Sequence, residues 1–215
     1  MTDDEYGRRC VVIGASPETD IKLLRRLVRE DDHIVCADGG YLHAEKAGLK
    51  PELIIGDFDS SEKPEKGDYE TVTLPGRKDD TDTMYVLKEY ISRGFRRFLL
   101  LGMTGGRPDH TYANLTALSY LCSQGARGEI ADQHGNITMT GRGIFCIEGK
   151  KGVQAAVFPF GCERSIVSLR GFEYELQDGE LKEDFPLGVS NRITDDHAEI
   201  EVIEGKVLIY ILDGE

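Results

Sequence analysis

Between residue 8 and about residue 125 the chain repeats one pattern. A short run of consecutive apolar residues is followed by a stretch whose apolar residues recur every three or four positions. "RCVVIGAS", "HIVCADGG", "ELIIGD" and "FRRFLLLG" are the continuous runs, and "YETVTL" is a weaker one. Between them stand "ETDIKLLRRLVRE", with Ile21, Leu24, Leu27 and Val28 on one helical face, and "YLHAEKAGL", a short helix. "TDTMYVLKEYISRG" follows, with Met84, Leu87 and Ile91 at helical spacing, then "PDHTYANLTALSYLCSQG", with Leu115, Leu118 and Leu121 predicted inward. A strand that is apolar on both faces has to be covered on both, so this rhythm requires a mostly parallel sheet flanked by helices.

Past Gly125 the texture changes. "HGN", "TGRG", "EGKKG", "FPFG", "QDGE" and "IEGK" punctuate short runs such as "GIFCIE", "VQAAVF", "SIVSL", "AEIEVI" and "VLIYIL". Turn signals at this density, with no long amphipathic period, predict an antiparallel sandwich or barrel. The expected division is an α/β domain over residues 1–127 and an all-β domain over 128–215.

Charge narrows the function. The 39 acidic residues outnumber 26 basic ones, giving a net charge of −13. A nucleic-acid surface wants a basic face, so no nucleic-acid partner is expected. A polyphosphate can approach clustered carboxylates only with a divalent cation between them. No apolar run approaches membrane-spanning length, and "MTDDEYGRRC" lacks the apolar core of a signal peptide, so no membrane partner and a cytoplasmic setting are expected. The cysteines at 10, 36, 122, 146 and 162 show no C-x-x-C spacing; most sit in apolar runs, where a free thiol acts as a small hydrophobe.

In an open α/β sheet ligands bind beyond the carboxyl ends of the strands. Four connections expected at that rim carry the polar residues: "ADGG" with Asp38, Gly39 and Gly40; "GDFDS" with Asp57 and Asp59; "KDDTDT" with Lys78, Thr81 and Asp82; and "GGRPDH" with Gly106, Arg107, Asp109 and His110. Aspartate and threonine also cap helices, and glycine pairs also make turns. Helix caps alone do not call for "DFD" and "DDTD" together. Carboxylates gathered at one rim repel unless a cation sits among them, and Mg2+ takes one or two carboxylates plus substrate phosphates. Lys78 and Arg107 supply positive charge for a transferring phosphoryl group, and the glycines let backbone approach a phosphate. The pattern indicates Mg-nucleotide chemistry. There is no G-x-x-x-x-G-K-[ST], and no G-x-G-x-x-G after the first strand, so a P-loop enzyme and a nicotinamide enzyme are disfavoured. A phosphatase forming an aspartyl-phosphate at "DFDS" is the alternative, although that motif normally ends a first strand and here ends a third. A non-enzymatic module that binds Mg-ATP is a further one.

Taken in order, "ADGG", "GDFDS", "KDDTDT", "GGRPDH" with Asn114, and "GVSN" at 188–191 resemble the motifs of the thiamine pyrophosphokinase family, over nearly the whole chain. The resemblance implies transfer of diphosphate from Mg-ATP to thiamine. It implies a C-terminal β-sandwich and a homodimer with active sites at the subunit interface. By the same mapping Asp57, Asp59 and Asp82 hold Mg2+ and the triphosphate, and Arg107 and Asp109 complete the catalytic set. Asp38, Gly39, Gly40, Lys78, Thr81, Gly106, His110 and Asn114 line the nucleotide, while Gly188, Ser190 and Asn191 contact thiamine. Two positions depart from the family pattern: Arg192 stands where an acidic residue often follows S-N, and Leu187 where animal relatives often carry an aromatic.

Overall fold

The computed structural model describes residues 7–58, 69–75 and 79–212. The chain divides into two compact units, Met1–Gln133 and His134–Glu215.

In the first unit the strands are β1 (Arg9–Ile13), β2 (His33–Ala37), β3 (Leu53–Gly56), β4 (Glu70–Thr73), β5 (Arg97–Leu101) and β6 (Arg127–Asp132). They lie in the order β6-β5-β1-β2-β3-β4, every neighbouring pair parallel. The helices are α1 (Ile21–Leu27), α2 (Gly40–Ala47), α3 (Asp82–Ser92) and α4 (Pro108–Ser123). Alternation along each strand sends successive side chains to opposite faces. Val11, Ile13, Ile34, Cys36, Leu99 and Leu101 pack with Leu24 of α1 and Tyr41 and Ala44 of α2. Helix α3 lies against β1, β2 and β3, and α4 against β6. Both faces are thus covered, which is why the strands read as unbroken apolar runs.

The helices differ slightly from their predicted faces. In α3 the buried residues are Thr83, Val86, Leu87 and Tyr90, while Met84 and Ile91 are only half-buried. The stripe lies one position away from the expected one because Tyr90, amphipathic in sequence, turns its ring inward and hydrogen-bonds His33 Nε2 at 2.8 Å. In α4 Ala117, Leu118 and Leu121 are buried and Leu115 is half-buried.

The second unit contains β7 (Gly135–Thr140), β8 (Gly143–Glu148), β9 (Gln154–Pro159), β10 (Arg164–Arg170), β11 (Leu176–Lys182), β12 (Asn191–Arg192), β13 (His197–Glu204) and β14 (Val207–Leu212). They form two antiparallel layers, β12-β9-β14-β7 and β11-β10-β13-β8. Ala155, Val157, Val207 and Ile209 from one layer meet Ile147, Val167, Leu181, Ile200 and Val202 from the other in one core. This is a sandwich, not a barrel. The "QDGE" turn signal lies inside β11. Asp178 takes a left-handed φ of 50° there, beside a register shift opposite Val167 and Leu169, and Ser168 Oγ accepts from the Asp178 N–H at 3.0 Å. A bulge absorbs the Asp-Gly pair that sequence assigns to a turn.

Candidate active site

The order of the six strands reverses at β1, with β2 on one side and β5 on the other. The loops that follow β1 and β5 therefore diverge from the switch point where α/β sheets take ligands. Here they are tied together. Gly14 N donates to Leu101 O at 2.8 Å, Ser16 N to Gly102 O at 3.1 Å, and Ser16 Oγ to Thr104 O. Gly106 N donates to Glu18 Oε1 at 2.9 Å. Sequence reasoning did not single out Glu18. Its "SPE" segment carries no motif, and only the adjacency of β1 and β5 brings its carboxylate to the diglycine loop.

One strand further along the rim the aspartates gather. Asp38 follows β2, Asp57 follows β3, and Asp82 is the first residue of α3. One carboxylate oxygen from each lies within 4.8 Å of the others, and all three residues are half-buried. Two unit charges that close repel by about 3 kcal/mol at an effective dielectric constant of roughly 20. Such a cluster suits a hard divalent cation, which takes oxygen ligands. The metal set expected from sequence was Asp57, Asp59 and Asp82. Asp59 lies outside the described residues, and Asp38, expected to line the nucleotide, occupies the third corner. The parallel register explains this: Ala37 pairs with Ile55, so the residues just past each strand end side by side.

The backbone that presents these carboxylates is unusual. Among the described residues four non-glycine positions have positive φ: Asp38 at 48°, Phe58 at 55°, Asp178 at 50° and Ser190 at 56°. Three of the four fall in the motifs picked from sequence. Left-handed backbone at a non-glycine residue costs of order 1–3 kcal/mol and persists where its surroundings enforce it. At Asp38 the enforcement is visible, since its N–H donates to Ile55 O at 2.7 Å. Gly40 opens α2 with its Cα pressed against β1: a Cβ there would lie 2.0 Å from Ile13 O. The second glycine of "ADGG" is thus a packing requirement, and Gly39 is the N-cap of α2.

The remaining motif residues have varied placements. Thr81 caps α3, accepting from Met84 N at 3.2 Å. Asn114 Nδ2 donates to Met103 O at 2.8 Å and so fixes the loop after β5 to α4. Arg107 and Asp109 pair with each other on an exposed surface, Nε to Oδ1 at 3.1 Å and Nη2 to Oδ2 at 2.5 Å. Hydrogen bonds from that guanidinium hold the Asp109 carboxyl down at about 2. His110 is exposed beside them in the first turn of α4. Lys78 lies outside the described residues.

In the second unit "GVSN" is mostly architecture. A Cβ at Gly188 would stand 1.9 Å from Val157 O, and Gly188 O accepts from Val157 N at 2.9 Å. Asn191 is buried and its amide makes three hydrogen bonds to backbone. Nδ2 donates to Tyr174 O at 2.8 Å, and Oδ1 accepts from Tyr174 N at 3.0 Å and Arg192 N at 2.8 Å. Ser190 is exposed. Around it Phe185, Leu187 and Val189 stand exposed, as does Tyr174.

Comparison with known proteins bears on both units. Residues 24–128 match the family model "Thiamin pyrophosphokinase, catalytic domain", and residues 146–207 match "Thiamin pyrophosphokinase, vitamin B1 binding domain". A thiamine pyrophosphokinase of Bacillus subtilis (strain 168) is 25% identical over 206 residues, covering 93% of this chain and 96% of the relative. Among solved structures, thiamine pyrophosphokinase from Bacillus subtilis superposes with a TM-score of 0.86 at 21% identity, covering 97% of this chain and 100% of that one. The Geobacillus thermodenitrificans enzyme gives 0.83 at 24% identity, covering 96% and 98%. The yeast enzyme gives 0.75 at 18% identity, covering 95% and 86%. These superpositions show that the fold is shared.

Proposed function

The chain belongs to the thiamin pyrophosphokinase family, and from that premise we propose that it is a transferase moving a diphosphate from ATP to the hydroxyl of thiamine, with AMP and thiamine diphosphate as products. The observation that carries this reading is the meeting of Asp38, Asp57 and Asp82 from three separate connections within 4.8 Å. Neither family match nor the relatives support a phosphatase that traps phosphate on Asp57.

Three hard oxygen donors fit Mg2+. Bound by Asp38, Asp57 and Asp82, and by Asp59 as the motif implies, it would neutralise the triphosphate and draw electron density from the phosphorus under attack. The protein's own work is then positioning and charge. Gly39, Gly40 and Gly106 keep backbone close to the phosphates, while Lys78 and Arg107 supply positive charge for the transferring group. Asp109 orients Arg107 through their paired hydrogen bonds. Thr81 sets the start of α3 and with it the Asp82 carboxylate. His110 and Asn114 border the nucleotide from α4. Asp82 or Asp59 accepts the alcohol proton of thiamine, and the acidic rim attracts the thiazolium cation.

The same proposal gives residues 1–127 the chemistry and 128–215 the thiamine subsite and dimerisation. The vitamin B1 binding match over 146–207, which includes Gly188, Ser190 and Asn191, supports that division. In it Gly188 and Asn191 build the segment and Ser190 presents its hydroxyl to thiamine. The exposed Phe185, Leu187 and Val189 are suited to cover by a second subunit, so the working form is a homodimer with shared sites. No described helix is long and apolar enough to cross a membrane, and we place the enzyme in the cytoplasm.

Incubation with thiamine and Mg-ATP tests the reading by its products. AMP and thiamine diphosphate are expected in equal amounts. Accumulation of ADP would break the diphosphoryl reading, and inorganic phosphate released without thiamine would restore the phosphatase.

A further inference from the structure

The outward face of the β11-β10-β13-β8 layer carries a cluster that the transfer reaction leaves unused. Along β13, Ala198, Ile200 and Val202 enter the sandwich core, which turns His197, Glu199 and Glu201 outward. β8 runs antiparallel beside it, with His197 opposite Glu148 and Glu199 opposite Cys146. Ile147 enters the core, so Cys146 and Glu148 share the outward face. Four metal-ligating side chains therefore stand at the corners of one rectangle. Directly opposed Cβ atoms in such a ladder are about 4.5–5.5 Å apart.

The side chains close the rectangle further. His197 Nδ1 lies 2.5 Å from Glu148 Oε1, and Nε2 lies 3.1 Å from Glu199 Oε1. Ligand atoms of Cys146, His197 and Glu199 all lie within 4.8 Å of one another. Bonds from zinc to nitrogen, oxygen and sulfur run roughly 2.0–2.3 Å, so small rotations about the side-chain bonds bring the three donors onto one centre. Ion pairing accounts for the charges in part: Arg170 reaches Glu199 at 3.5 Å and Glu201 at 2.9 Å. It does not account for a thiol among them. Cys10 and Cys36 are buried, Cys122 and Cys162 half-buried, and Cys146 alone of the five is exposed. Thiolate, imidazole and carboxylate together form a borderline-soft set, which favours zinc over the hard cations that suit three aspartates.

We propose that Cys146, His197 and Glu199, with water completing the shell and Glu148 orienting His197 through its other ring nitrogen, form a site for zinc or a zinc-like divalent ion that staples β8 to β13. Binding releases the Cys146 thiol proton to solvent. The site is independent of the transfer reaction.

Cobalt(II), a spectroscopic stand-in for zinc, provides the test. It is titrated into chelator-treated full-length protein in excess Mg2+, which keeps the aspartate rim occupied. One equivalent is expected to produce a thiolate-to-cobalt charge-transfer band that zinc then abolishes. Cys146→Ser should remove the band, and His197→Gln should weaken cobalt affinity by at least about tenfold, the scale on which even outer-shell partners act. Zinc should raise the melting temperature of the parent chain and not of Cys146→Ser. Circular dichroism checks that both variants fold. No band in the parent, a band that survives Cys146→Ser, or unchanged affinity in His197→Gln would each overturn the site. None of these readouts depends on turnover.

Discussion

The two rims of the first unit's sheet treat carboxylates in opposite ways. At the amino ends of the strands Asp32, 5% exposed, is matched by Arg9, with Nε to Oδ1 at 2.8 Å and Nη2 to Oδ2 at 2.6 Å. The Arg29 N–H adds a third bond to Asp32 Oδ2 at 2.7 Å. At the carboxyl ends Asp38, Asp57 and Asp82 are brought together by backbone that holds Asp38 in a left-handed conformation. One rim spends charge on stability. The other gathers three carboxylates on strained backbone, the arrangement on which the proposed Mg2+ site rests.

By that contrast the same kind of substitution has opposite consequences at the two rims. The largest effect is expected at the amino rim. Asp32→Ala leaves the half-buried Arg9 guanidinium with only its bond to Leu27 O at 2.7 Å, which costs about 3 kcal/mol or more. A urea midpoint lowered at unchanged slope measures it. A loss under about 1 kcal/mol would mean that Arg9 finds water and that the rims do not differ as described.

Next comes Asp57→Asn. Its turnover should fall about 100- to 1000-fold, the scale of removing one electrostatic contact to a transition state. Its melting temperature without Mg2+ should stay close to that of the parent, because the amide keeps the size and shape of the half-buried side chain. AMP production and thermal melting, each with and without Mg2+, read both halves. A variant that loses stability and keeps its turnover would make Asp57 structural and sink the comparison.

The smallest effect belongs to Thr81→Ala. Losing the bond to Met84 N at the start of α3 should cost about 1 kcal/mol of stability. Because Asp82 is the next residue, KM for Mg-ATP should rise modestly with it. A KM change without a stability change would show that Thr81 contacts the nucleotide directly.

Most of this architecture was legible in the chain. The unbroken apolar runs at Cys10–Ile13 and Leu53–Ile55 could belong only to strands covered on both faces, and they are. The dense turns after residue 125 announced the antiparallel layers, though one of them, at Asp178, is a bulge inside a strand. The side-chain roles were less readable. Sequence offers Asn191 and Gly188 in "GVSN" as ligand contacts but does not reveal their backbone duties, the first binding the backbone of Tyr174 and the second packing against Val157. Cys146 sits in the apolar run "GIFCIE" but is exposed, because strand alternation assigns it the opposite face from Ile147.

Periodicity and turn chemistry are local properties, so the residues alone determined which segments are strands and helices and that acidic connections end several of the strands. Which carboxylates meet is a property of register. Only the pairing of Ala37 with Ile55 decided that Asp38 stands beside Asp57, and only the alternation of β8 and β13 gathered Cys146 with His197 and Glu199. No local pattern encodes those distances, because each depends on how two distant segments align across a sheet.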